Sequence, residues 1–166
     1  MLTEIKTNTL HYFVDEQNRK QGEYTEFYDS GKMLTHTRFL NNMLHGEYKQ
    51  YSKNGVLTNA YTFQHGNYHG EAMEYDHNGI PIKRYFYKNN KFHGEYISYH
   101  VNGSPECHTF YQNGKKHGVQ IIYSYYGIIR SRTLFSHGID LNVDPNTLTK
   151  HDMLYFTISG RLPPRD

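Results

Sequence analysis

The stretch His45-Gly46-Glu47-Tyr48-Lys49-Gln50-Tyr51-Ser52-Lys53-Asn54-Gly55 decides the fold. Its two glycines belong to two registers that recur every 24 residues: Gly22, Gly46, Gly70, Gly94 and Gly118 in one, and Gly31, Gly55, Gly79, Gly103 and Gly127 in the other. Aromatic positions keep the same phase, with Phe27, Tyr51, Tyr75, Tyr99 and Tyr123 in one column and Phe39, Phe63, Tyr87, Tyr111 and Phe135 in another. A period of this size marks a repeat array, in which each unit packs only against its neighbours. Five copies therefore fill residues 22–141, leaving 1–21 as an N-terminal capping strand and loop and 142–166 as a C-terminal cap.

In the second copy, Glu47–Tyr51 and Val56–Phe63 read as strands joined at Asn54-Gly55, because both residues of an Asn-Gly pair tolerate the positive φ of a type I′ turn. Gln64–His69 then turns the chain back, and the histidines of the His-Gly steps (His45, His69, His93 and His117) read as turn residues. The predicted fold is all-β: an elongated, single-layer antiparallel meander of five hairpin repeats of 24 residues, with a short C-terminal capping helix. Leu10–Val14 supplies an opening strand. Thr149-Lys150-His151-Asp152 has the pattern of a helix start before Met153–Ile158, with Gly160 as the stop. Such a helix would cover the fifth copy, which is unusually apolar at Ile121, Ile122, Tyr125, Tyr126, Ile128 and Ile129.

Composition agrees with a thin, folded sheet. Hydrophobic residues are only 36% of the chain, yet aromatics reach 16%, far from the aromatic-poor signature of disorder. Seventeen tyrosines suit a sheet in which rings pack while hydroxyls stay wet. Strand alternation puts Tyr61 and Phe63 on one face and Phe86, Phe110 and Leu134 on the other, so both faces carry aromatic rows. No segment has the roughly 20 apolar residues of a membrane span and no secretory signal is visible, so a cytoplasmic location is expected. The single cysteine, Cys107, reads as a reduced strand residue.

The units resemble MORN repeats, specifically the variant MORN repeat, through Tyr51 with Asn54-Gly55, Tyr99 with Asn102-Gly103, and the return Asn113-Gly114-Lys115-Lys116-His117-Gly118. Local departures are Gln21 in place of histidine, Asn42 and Asn90 where Gly66, Gly114 and Gly138 stand, and Ala72 and Gln120 in place of tyrosine. Asparagine accepts left-handed geometry, so its substitutions fit the turn. The resemblance implies a stand-alone, non-enzymatic interaction module of bacterial or phage type, similar to antitoxin-like members of that family. Other MORN proteins are associated with lipids or act as dimerising scaffolds, which makes membrane-surface binding and homodimerisation the alternatives.

Residues with chemistry do not assemble into a catalytic set. The histidine column and the Glu23, Glu47, Glu71 and Glu95 column inherit a pitch of roughly 9.6 Å, two strand spacings, which a single zinc ion cannot bridge with ligands near 2 Å. No phosphate-cradling loop or nucleophile elbow accompanies them. No cofactor, metal or catalytic residue is therefore expected. Residues 1–82 hold seven Lys/Arg against ten Asp/Glu, whereas residues 83–137 hold eight against two. A protein partner is expected on a charged aromatic face, with Arg84, Tyr85, Tyr87, Tyr99, Tyr111, Lys115, Lys116 and Arg132 as contact candidates, since Tyr and Arg dominate hot spots. Arg84-Tyr85-Phe86-Tyr87-Lys88 has the ingredients of single-strand nucleic-acid binding, but the same rings are needed to hold a thin sheet, so nucleic acid is disfavoured.

Overall fold

Strands form where β-branched and aromatic runs lie between Gly- and Asn-bearing turns. A computed structural model describes residues 1–150 together with Asp152, Met153, Phe156 and Leu162. The strands are β1 (Thr3–Lys6), β2 (Leu10–Val14), β3 (Lys20–Phe27), β4 (Met33–Leu40), β5 (Met43–Tyr51), β6 (Leu57–Gln64) and β7 (Asn67–Tyr75). They continue as β8 (Pro81–Lys88), β9 (Lys91–Tyr99), β10 (Pro105–Gln112), β11 (Lys115–Lys116), β12 (Gly118–Tyr123), β13 (Ile129–Ser136) and β14 (Ile139–Asp140). The architecture is an open antiparallel meander.

The chain divides into two compact units. The first holds Met1–Ile82 and Tyr87–Asn90, with β1 to β7 paired in chain order. The second holds Lys83–Phe86 and the residues from Lys91 onward, in which β9, β10, β12, β13 and β14 follow one another and β11 pairs with β10. β2 covers Leu10–Val14 as expected, and the short β1 pairs outside it from Thr3–Val14 to Lys6–His11. The loop after β2 is tied by the Asp15 carboxylate, which accepts hydrogen bonds from the backbone of Gln17 and Arg19 and from the Gln21 side chain.

Two kinds of turn alternate, and they exchange the roles the sequence suggests. At Ser52-Lys53-Asn54-Gly55 the Gly55 amide donates to the Ser52 carbonyl at 2.8 Å, and the Ser52 amide donates to the Val56 carbonyl at 2.8 Å. Only Gly55 has positive φ, at 85°, so this is a type I turn closed by a glycine bulge and not the expected type I′ turn. Type I′ geometry belongs to the returns: Asn41-Asn42 (φ 52°, 65°), His65-Gly66 (49°, 79°), Asn89-Asn90 (49°, 64°), Asn113-Gly114 (53°, 83°) and His137-Gly138 (51°, 89°).

The His-Gly steps are not turns either. Gly46 lies inside β5 with φ 85°, where the register against β4 slips between Thr37–Tyr48 and Phe39–Leu44. The step is a β-bulge, which adds residues to one strand and sharpens its twist. The same slip occurs on β7, between Tyr61–Ala72 and Phe63–Tyr68. The two neighbouring hairpins are sewn together beside each bulge: Asn42, Gly66, Asn90, Gly114 and Gly138 donate their amides to the carbonyls of Lys20, Leu44, Tyr68, Phe92 and Lys116, at 2.8 to 3.1 Å. Where asparagine replaces glycine, its side chain adds a bond to the same strand, from Lys20 N to Asn42 Oδ1 (2.7 Å) and from Tyr68 N to Asn90 Oδ1 (2.8 Å).

One face of each unit carries a ladder of rings. In the first, Tyr48 meets Tyr61 and Phe63, Phe63 meets Tyr68 at 4.4 Å between centroids, and Tyr68 meets Tyr87 at 5.0 Å. In the second, Tyr85 stacks on Tyr96 at 5.6 Å, and Tyr96 and Phe92 both meet Tyr111. Threonines fill the gaps: Thr37 is buried and donates to the Glu47 carbonyl at 3.0 Å. Among the described residues the buried apolar side chains are Val14, Phe63 and Ala72 in the first unit and Tyr85, Leu134 and Phe156 in the second.

A 3-10 turn at Pro145–Thr147, started by Pro145 and ended by an extended Leu148, precedes the expected capping helix, whose described residues Lys150, Asp152, Met153 and Phe156 are helical, with Met153 N donating to the Thr149 carbonyl at 3.1 Å. The box at Thr149 and Asp152 forms, with Thr149 N donating to Asp152 Oδ2 at 2.7 Å and Asp152 N to Thr149 Oγ1 at 3.1 Å. The remainder of the expected helix, including Ile158 and the Gly160 stop, lies outside the described residues.

The bulge makes a prediction about stability. A Cβ on Gly70, at φ 101°, would lie 3.3 Å from Thr62 Cβ, so Gly70→Ala should cost about 1–3 kcal/mol. Asn42→Gly keeps the turn and removes one hydrogen bond, at about 1 kcal/mol. Urea midpoints should fall in that order, and the reverse order would show that the turn, not the bulge, limits stability.

Candidate functional site

The eight contact candidates do not form one patch. Tyr85 is buried between Phe92 and Tyr96 and acts in packing. Tyr87 packs on Tyr68 in the first unit, Tyr111 closes the ring ladder of the second, and half-buried Tyr99 sits opposite Pro105 at the end of β9. Arg84 points from the sheet face opposite Tyr85, where it pairs with Glu95 at 2.9 Å and lies over Phe86 at 5.0 Å. Arg132 shares that face, next to Ile121, and its guanidinium donates to the Asn146 side chain. Lys116 lies over Phe135 at 4.9 Å on the ring side, while Lys115 is exposed at the start of β11. Strand alternation thus separates Arg84 and Arg132 from the aromatic candidates, while Lys116 stays on the ring side.

The exposed apolar surface lies elsewhere. Val101, Tyr126 and Ile128 are 81%, 85% and 67% exposed, and Tyr125, packed edge-on to Tyr126 and His100, is also exposed. They occupy the glycine-bulge turns of the fourth and fifth copies, which Asn102 joins by donating to the Tyr125 carbonyl at 3.0 Å. The expectation that a C-terminal helix covers Tyr125, Tyr126, Ile128 and Ile129 is therefore corrected. Phe156 stacks instead on His117 (5.1 Å, 18°), and Leu134 is fully buried. The signal was present in sequence: Lys53-Asn54 and His77-Asn78 are polar at the turn where Tyr125-Tyr126 are aromatic.

The C-terminal residues also wall a cavity of about 410 Å3 on the second unit, lined by His93, His108, His117, Phe110, Ile121 and Phe156 among others. At its edge Glu95 is held between Arg84 and His108 Nε2, both at 2.9 Å. The Nδ1 atoms of His93 and His117 are buried without a hydrogen-bond partner among the described residues, as is that of His45 in the equivalent bulge. Burial holds the His117 imidazole below its ordinary pKa, and His137 beside it acts in the same direction. The repeated carboxylates are engaged in ion pairs: Glu23 with Arg38 at 2.8 Å and Glu47 with Lys49 at 2.7 Å. Among the described residues no group of three or more His, Cys, Asp or Glu is placed to hold a metal ion. Cys107 accepts a hydrogen bond from Gln120 at 3.2 Å and is half-buried.

Residues 20–41, 44–65 and 68–89 each match the family model of the MORN repeat variant. Residues 20–89 thus match three consecutive variant MORN repeats. Each matched segment runs from a bulged strand through the type I turn and return strand to the type I′ turn, so the MORN unit here is one hairpin with its link to the next. The two later copies, outside the matched residues, keep the positive φ of the bulge glycine at Gly94 and Gly118. MORN repeats serve as protein-interaction or membrane-interaction repeats. No curated protein matches the chain. Among solved structures the chain is similar to one from the "Crystal structure of GtfA/B complex bound to UDP and GlcNAc", at 8% identity over 78% of this chain with a TM-score of 0.22. The chain spans 23% of the length of that chain, and a likeness at that score carries no inference.

The sealed His117 gives a pH prediction. With its folded pKa lowered, His117 takes up a proton more readily in the unfolded chain, so its contribution to stability is present above about pH 6.5 and is lost as pH falls through the lower folded value. The urea midpoint should drop as pH falls below about 6.5. His117→Phe should flatten that drop, and an unchanged pH slope in the variant would contradict the assignment.

Proposed function

We propose that this chain is a non-enzymatic, cytoplasmic interaction module that binds another protein, and that by occupying it the module inhibits or neutralises it. The observation that carries the reading is the apolar rim of Val101, Tyr125, Tyr126 and Ile128 at two adjacent MORN turns. Exposed apolar groups clustered in this way mark interaction sites. Tyrosine at the centre of such a patch is a favoured anchor, with rigid area and a hydroxyl for the rim. Arg130 and Arg132, both exposed, follow the rim along β13 and favour an acidic partner. The engaged state of Glu23, Glu47 and Glu95 supports a structural role for the repeated carboxylates.

A second reading is supported by the same residues: apolar turn tips followed by two arginines also suit an anionic membrane surface. Self-association through the rim is the third. Pull-down with the intact chain, repeated with Tyr126→Ser and Ile128→Ser, separates them. The protein-binding reading expects a defined partner from the native cell whose recovery drops at least tenfold in the double variant, with the thermal midpoint kept. Vesicle binding that fades with salt, or a dimer dissolved by the same substitutions, would replace it.

A further inference from the structure

We infer that the cavity on the second unit is a binding site for a small carboxylic acid with an aromatic or alkyl body. It holds about 410 Å3, within the range of small-molecule sites. The bulge glycines Gly94 and Gly118 line it without side chains, together with Ile121, Met153 and Phe156. Corresponding depressions in the first unit differ in chemistry. The one at Gly22 and Gly46 contains Arg38 and Gln21, and another contains Glu47, Glu71 and Lys49.

The walls dictate the body of the ligand. Phe110, Val119, Ile121, Met153 and Phe156 are apolar, and Phe110 remains 44% exposed. Burying an aryl or alkyl group there is favourable at every methylene.

The polar atoms dictate its head group. No carboxylate lines the cavity among the described residues, and Glu95 is held by Arg84 and by His108 Nε2, both at 2.9 Å. His93 and His117 have Nδ1 sealed and unpartnered. A buried N–H without an acceptor is more costly than a buried lone pair, so each proton resides on Nε2. Nε2 is then the ring nitrogen left to meet a ligand, and it arrives as a donor. Two N–H donors on an apolar wall call for an acceptor, and the charge of the unit selects an anionic one: it has ten Lys/Arg against six Asp/Glu. The arrangement uses no residue of the rim at Val101 and Tyr126, so it is independent of the protein-binding reading.

The test is NMR titration of the full chain with 4-phenylbutyrate and, in parallel, with the uncharged 4-phenylbutan-1-ol. The acid should bind saturably, shifting the imidazole Cε1–H resonances of His93 and His117, and the alcohol should bind at least tenfold more weakly. His117→Phe and His93→Phe keep ring volume and remove the donor; each should weaken acid binding at least tenfold, while Tyr126→Ser leaves it unchanged. If a histidine variant fails to fold, the acid and alcohol comparison on the unaltered chain still decides. Absence of saturable shifts with the acid up to about 10 mM, equal affinity for acid and alcohol, or shifts confined to Tyr125 and Tyr126 would each overturn the site.

Discussion

The structure depends on one backbone hydrogen bond made again in every repeat: the second residue of each type I′ turn donates its amide to a carbonyl in the preceding hairpin, as Gly66 does to Leu44. That bond requires the amide to point sideways out of a hairpin, which only two successive left-handed residues achieve. It also requires the receiving strand to be displaced, and the His-Gly bulge supplies the displacement by adding residues to one side of the ladder. Turn and bulge are therefore one device. A change at either glycine class acts on the joint between two copies as well as on its own strand.

A sheet assembled in this way has little depth, and its stability comes from lateral contacts. Rings contact rings across neighbouring strands, threonines close the intervals, and few side chains are fully buried. Tyrosine serves here for a physical reason: its ring contributes the apolar area of a core residue while its hydroxyl remains hydrated or bonds a carbonyl, as Tyr28 does with Tyr51 at 2.8 Å. The consequence for function is that aromatic content alone does not mark a binding face, because most of the rings are already committed.

Function in a repeat array is sought where the repetition fails. The glycine-bulge turn is polar in the early copies and becomes apolar at Val101 and at Tyr125-Tyr126. On the second unit Phe156 sits on His117, and Met153 and Phe156 line a cavity beside it. Both features arise from departures in the last two copies and not from the repeating motif, which is occupied with holding the sheet.

The sequence by itself determined the period, the antiparallel meander and the places where left-handed residues stand, because glycine and asparagine at a fixed interval admit few backbone solutions. It also exposed the kinship of Asn42 and Asn90 with the turn glycines. It did not separate a bulge from a turn, since Gly46 and Gly55 satisfy the same torsional demand, and only pairing between strands distinguishes them. Nor did it reveal that Tyr85 is buried while Tyr126 is bare, or that Arg84 turns away from the ring ladder toward Glu95. Those outcomes belong to the tertiary structure, because exposure in a single-layer sheet is set by which residue of a distant segment comes to lie on which face.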